Sequence, residues 1–138
     1  MTLLASFITK DYSILAADTL IHNPGGTKSF GHKIRLIDDL AFAIHEDLTI
    51  PVDGENHIEI LDEIEKIVLE VKALDKIPQE ILKHLKELWD KIDLDKIPDE
   101  QKPNVKPNIS TGVVFQSYRE NKLLFNYIDC IRNDIYDY

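Results

Sequence analysis

A single cysteine, Cys130, stands among 138 residues, which excludes an internal disulfide framework and fits a chain kept in a reducing compartment. Asp129 beside it raises the thiol pKa and no base lies near it in sequence, so Cys130 reads as an ordinary thiol rather than a nucleophile. Positive charge is also scarce. Sixteen Lys and Arg against 25 Asp and Glu leave a formal net charge of −9, with no basic stripe to offset it. Such a field repels phosphate backbones and anionic head groups, so nucleic acid and membrane surfaces are not expected partners. Long apolar runs are missing, and the first residues lack the basic region, apolar stretch and small-residue cleavage site of a secretory signal. The expected location is cytoplasmic. What remains, 43% hydrophobic and 30% charged residues, predicts one folded domain over residues 1–138.

The pattern along the chain is one of short apolar runs separated by polar turns. Residues 3–8 and 13–17 flank Thr9-Lys10-Asp11-Tyr12 and predict a β-hairpin buried on both faces, ending at Asp18. Asn23-Pro24-Gly25-Gly26 then predicts a loop. Residues 33–37 and 40–44 around Asp38-Asp39 predict a second hairpin, so that two hairpins fill residues 2–45. Pro51 and Asp53-Gly54 favour a turn before the period changes.

From residue 57 to 74, Ile60, Leu61, Ile64, Ile67, Val68, Val71 and Leu74 recur at three- and four-residue steps and predict an amphipathic helix. Residues 78–92 predict a second, with Pro78 in its first turn and Ile81, Leu82, Leu85, Leu88, Trp89 and Ile92 on one face. Together they predict an antiparallel helical hairpin over residues 57–92. The pentapeptide Leu-Asp-Lys-Ile-Pro follows each stripe, at 74–78 and 94–98, as punctuation. A polar connector over 93–108 leads to a third hairpin, 109–117 and 122–130, within residues 109–131. The acidic, aromatic tail 131–138 suits either a strand or a frayed end.

Three residues could carry chemistry. A threonine hydroxyl needs a base, and the chain's own α-amine serves when threonine is the first residue; Thr2 meets this once Met1 is removed. A lysine near that amine would lower its pKa, and an aspartate would hold the lysine charged and oriented. Lys33 opens the second hairpin and Asp18 ends the first, so both can gather with Thr2 at one sheet edge. The plain alternatives are a strand cap for Asp18, a solvated strand start for Lys33 and no task for Thr2.

The opening Thr2-Leu3-Leu4-Ala5, the run Ile14-Leu15-Ala16-Ala17-Asp18-Thr19, and Lys33-Ile34 followed by Ile37-Asp38-Asp39-Leu40-Ala41 resemble the start of proteasome β-type N-terminal-nucleophile (Ntn) hydrolases, a group that includes bacterial HslV-like peptidases. The order hairpin, hairpin, two helices, hairpin is shared as well. The resemblance implies an α+β fold, a shortened αββα-like sandwich of antiparallel hairpins with a helical hairpin. It also implies a threonine peptidase or amidase in which Thr2 attacks and Asp18 and Lys33 tune its amine. The substrate would be a peptide or protein, with no cofactor and no metal.

Two departures bear on activity. The family's glycine after the second hairpin, whose N–H stabilises the oxyanion, is replaced by Ile44-His45-Glu46-Asp47, and a carboxylate there opposes the developing charge. The family's further helices and strands have no counterpart before Tyr138, so an oligomer or obligate complex is expected to cover the open face. The alternative function is an inactive module of the same fold, acting in assembly or inhibition through protein contacts; a third reading keeps only an α+β interaction domain.

Other features read as structural. His45, Glu46, Asp47, Asp53, Glu55 and His57 lack any recognised metal-ligand spacing. Asp62, Glu63 and Glu65 are expected on the wetted face of the first helix. Tyr118, Tyr127, Tyr136 and Tyr138 suit hairpin packing or a partner surface.

Overall fold

The computed structural model describes residues 3–22, 28–119 and 122–138. The first hairpin joins β1 (Leu4–Ile8) to β2 (Ser13–Ala17), in register from Leu4 opposite Ala17 to Ile8 opposite Ser13. Its turn is closed by Thr9, whose N–H donates to the Tyr12 carbonyl at 2.8 Å while its hydroxyl oxygen accepts from the N–H groups of Asp11 and Tyr12. Two short strands that periodicity does not reveal follow, β3 (Leu20–His22) and β4 (Lys28–Phe30). The Asn23-Pro24-Gly25-Gly26 loop expected between them lies outside the described residues.

A five-stranded antiparallel sheet forms the centre. It is built from β5 (Ile34–Ile37), β6 (Leu40–His45), β9 (Gly112–Arg119), β10 (Lys122–Asp129) and β11 (Asp134–Asp137), in the order β11-β10-β9-β6-β5. The second and third predicted hairpins are thus neighbours, because β6 pairs with β9 and sets Phe42 opposite Phe115 and Ile44 opposite Val113. The Asp38-Asp39 turn places Asp38 at φ 53. The tail becomes an edge strand, entered through Asn133 at φ 57, a left-handed position that asparagine tolerates well. Between β6 and the helices, β7 (Thr49–Pro51) and β8 (His57–Glu59) pair across the expected Asp53-Gly54 turn. Asp53 holds that turn with its carboxylate, which accepts from the N–H groups of Glu55 and Asn56.

The first helix is shorter than its stripe predicts. α1 runs Ile60–Glu70 because 57–59 pair as a strand, and Val71 is already extended. A 3-10 turn, Leu74–Lys76, leads into α2 (Ile77–Asp90), which has Pro78 in its first turn as expected. Alternation along the strands gives the sheet two faces. Leu40, Phe42, Ile44, Val113, Phe115 and Ile128 point to the helices and form the core with Ile60, Ile64, Ile81, Leu85 and Trp89. The Trp89 indole N–H donates to the Lys106 carbonyl at 3.2 Å, tying the connector to α2.

Two expectations are corrected here. Glu63 does not lie on a wetted face: it is 8% exposed, turned toward α2, and accepts from Lys66 and from His84 Nε2 at 2.7 Å. Burial acts to raise its carboxyl pKa, but the bonds from His84 and Lys66 outweigh that and hold it below the ordinary value. Asp62 is exposed as expected and Glu65 half-buried, and both pair with Arg35 on β5. The first hairpin is not buried on both faces either. Its Leu4, Ser6, Ser13 and Leu15 side covers the second face of the sheet, where Gln116 bridges Ser6 and Ser13 at 3.1 Å each. Its other side stays open: Leu3, Phe7 and Ile14 are 70%, 58% and 53% exposed. The fold is therefore α+β, with antiparallel sheets flanked by two helices on one face and by a hairpin on the other.

Candidate functional site

The first hairpin closes at Leu3 and Asp18, where the Asp18 N–H donates to the Leu3 carbonyl at 3.0 Å and the Leu3 N–H donates back to Asp18 Oδ1 at 3.2 Å. Lys33 reaches the same carboxylate. Its Nζ donates to Asp18 Oδ1 at 2.8 Å and to the Leu20 carbonyl at 2.6 Å, and the residue is only 2% exposed. The backbone fixes its base as well, since the Lys33 carbonyl accepts from the Ile44 N–H at 2.9 Å and so binds the entry of β5 to the end of β6. The Lys33 ammonium, foremost, and the Leu3 N–H hold the Asp18 carboxyl below its ordinary pKa.

Lys33 is thus not a solvated strand start and Asp18 is more than a strand cap. Two of the three expected site residues meet, at the end of the hairpin where the chain begins. The third, Thr2, lies outside the described residues. The Leu20 carbonyl is a partner that no side-chain motif could have revealed. A buried ammonium fixed on two oxygens provides a standing positive charge, which lowers the pKa of a neighbouring amine and stabilises negative charge developing beside it.

The end of β6 departs from sequence expectation. Asp47 Oδ2 accepts from the Ser110 N–H and hydroxyl at 2.8 and 2.6 Å, and Oδ1 from Lys106 Nζ at 3.0 Å. Its carboxylate is occupied by the connector rather than facing a reacting group. Glu46 keeps a half-exposed side chain and takes φ 66, the left-handed backbone that glycine adopts without cost.

Beside it, His45 Nε2 lies 2.9 Å from the Tyr127 hydroxyl, with the two rings stacked 5.8 Å apart, and Tyr136 stacks on the far side of Tyr127. Gly112, opposite His45 in the register, makes the room: a Cβ there would fall 2.0 Å from His45 Nε2. Burial pushes the His45 imidazole down, against the pull of Glu46 and Asp129. Tyr138 packs edge-on to Phe125. These contacts account for three of the four tyrosines as sheet packing, and sequence periodicity carried no sign of the His45–Tyr127 pair.

Among the described residues, no three His, Cys, Asp or Glu side chains converge in a metal-holding arrangement. The residues considered for one are otherwise engaged: Asp53 with Asn56, His57 with Glu59, Asp47 with Ser110. Cys130 is buried, and burial together with Asp129 pushes its thiol up to about 12, which removes it as a nucleophile at neutral pH. No helix among the described residues is long and apolar enough to cross a membrane. No protein-family model, curated protein or solved structure matches the chain.

Proposed function

We propose that this chain is a proteasome-β-like N-terminal threonine hydrolase subunit acting on peptide or amide bonds. The observation that carries the proposal is the buried Lys33 ammonium held between Asp18 and the Leu20 carbonyl, with the Leu3 N–H on the same Asp18 carboxylate. Thr2 is one peptide unit from Leu3. After removal of Met1 its α-amine would take the Thr2 hydroxyl proton as the oxygen attacks the acyl carbonyl, forming an acyl-enzyme that water then hydrolyses. Lys33 keeps that amine unprotonated at neutral pH by like-charge repulsion, and Asp18 fixes Lys33. No cofactor is required.

A second reading, an inactive assembly or inhibitory module, draws support from Glu46, whose carboxylate would oppose a negative charge developing at the end of β6 where the resemblance puts the oxyanion. Intact-protein mass after expression in the native host, followed by peptide hydrolysis assays, separates the two. The hydrolase has lost Met1 and its activity disappears in Thr2→Ala. Full retention of Met1 would sink the threonine mechanism and leave the binding module.

A further inference from the structure

We infer that the open face of the β1–β2 hairpin is a two-fold interface with a second copy of this chain. Register and alternation put Leu3, Ala5 and Phe7 of one strand beside Ile14 and Ala16 of the other, Phe7 directly opposite Ile14 and Ala5 opposite Ala16. Tyr12 joins them, its ring 6.3 Å from that of Phe7 and the residue 52% exposed. These six side chains are all apolar or aromatic, with Asp18 across from Leu3 at the end of the hairpin, whereas the inward side carries Ser6 and Ser13 hydrogen-bonded to Gln116. The inner face is mainly apolar with two serines, and the outer face is apolar as well, which departs from the polar outer face of a surface hairpin.

Size and shape indicate the occupant. The six residues leave on the order of 500 Å² of largely apolar surface, and two such faces would bury on the order of 1,000 Å², the least that a specific interface needs. Phe7, Tyr12 and Ile14 stand up at the turn end, Leu3 at the other end, and the two alanines leave a low crossing point between them. An antiparallel two-fold pairing sets the ridge of one copy against the Leu3 end of the other and lets the sheets approach over Ala5 and Ala16.

Charge permits it. Over residues 3–18 the chain carries only Lys10, Asp11 and Asp18, and Asp18 is paired with Lys33, so this face is nearly neutral in a molecule of net charge −9. The remaining repulsion is long-range and falls with salt.

Sedimentation equilibrium at about 100 µM chain, a concentration that populates even a weak micromolar dimer, tests the inference. The wild type is expected to be a dimer that tightens with added salt. Phe7→Lys and Ile14→Lys are each expected to weaken it at least 100-fold, while Leu69→Lys, on the exposed side of α1, leaves it unchanged. Ala5→Cys is expected to cross-link two copies on mild oxidation; the native Cys130 is buried and gives no background. A wild-type monomer at that concentration overturns the inference. So does a dimer that keeps its affinity in both lysine variants or gives no Ala5→Cys cross-link.

Discussion

Lys33 is the residue on which the proposed chemistry turns, because a buried ammonium acts through its charge and cannot be replaced by a side chain that merely fills the space. Lys33→Ala is predicted to lower kcat/KM for peptide hydrolysis by about 10²–10⁴-fold, the range typical of acid–base groups. Asp18→Asn keeps the shape but loosens the lysine, and a smaller loss in the same assay is expected. Glu46 tests the backbone. At φ 66 a non-glycine side chain is strained, so Glu46→Gly is predicted to raise stability by about 0.5–1 kcal/mol after the entropy lost by glycine is set against the relief, as measured by urea unfolding. Asp18 and Lys33 were legible in the sequence because one charged residue ends an apolar run and the other opens the next, and both positions mark a sheet end. His45 and Tyr127 were not, since their pairing needs β6, β9 and β10 side by side and a glycine, Gly112, between the rings.

At the scale of elements, α1 and α2 are joined by the Glu63–His84 bond as well as by apolar packing. Both acid-sensitive groups weaken the fold in the same direction. His45 has its folded pKa lowered, so below the ordinary value of 6.5 the unfolded chain takes the proton more readily and stability falls. Glu63 has its folded pKa lowered too, so its contribution is present above the ordinary 4.5 and is lost as pH falls through the folded value. Chemical denaturation across pH should show a loss beginning below 6.5 that His45→Gln abolishes, and a steeper loss below 4.5 that Glu63→Gln removes. At pH 7, Glu63→Ala is predicted to cost about 1–3 kcal/mol, because His84 loses its partner.

The three hairpins and α2 were legible because alternation and helical spacing are local signals. The strands at 20–22, 28–30, 49–51 and 57–59 were not: each is three residues long and exists only through its partner. For the same reason the stripe over 57–74 overran the start of α1, and it overran the end because Val71 is already extended. Glu63 shows the limit of reading burial from residue type, since a carboxylate enters a helix interface once His84 and Lys66 meet it there.

The whole molecule is a helix layer on a sheet with a hairpin beneath, and its electrostatics are divided in the same way. Most of the negative charge lies outside the first hairpin, while the Lys33–Asp18 pair closes the Leu3 end of that hairpin and the exposed apolar residues run from there to its turn. The molecule therefore places its candidate chemistry at one end of the same element that carries its candidate contact surface. The most direct test of the central claim is intact mass after incubation with an electrophilic peptide probe, using protein from which Met1 has been removed. The account predicts a single covalent adduct, located at Thr2 by fragmentation, absent from Thr2→Ala and strongly slowed in Lys33→Ala. An unmodified chain under conditions that label a competent threonine peptidase would contradict it.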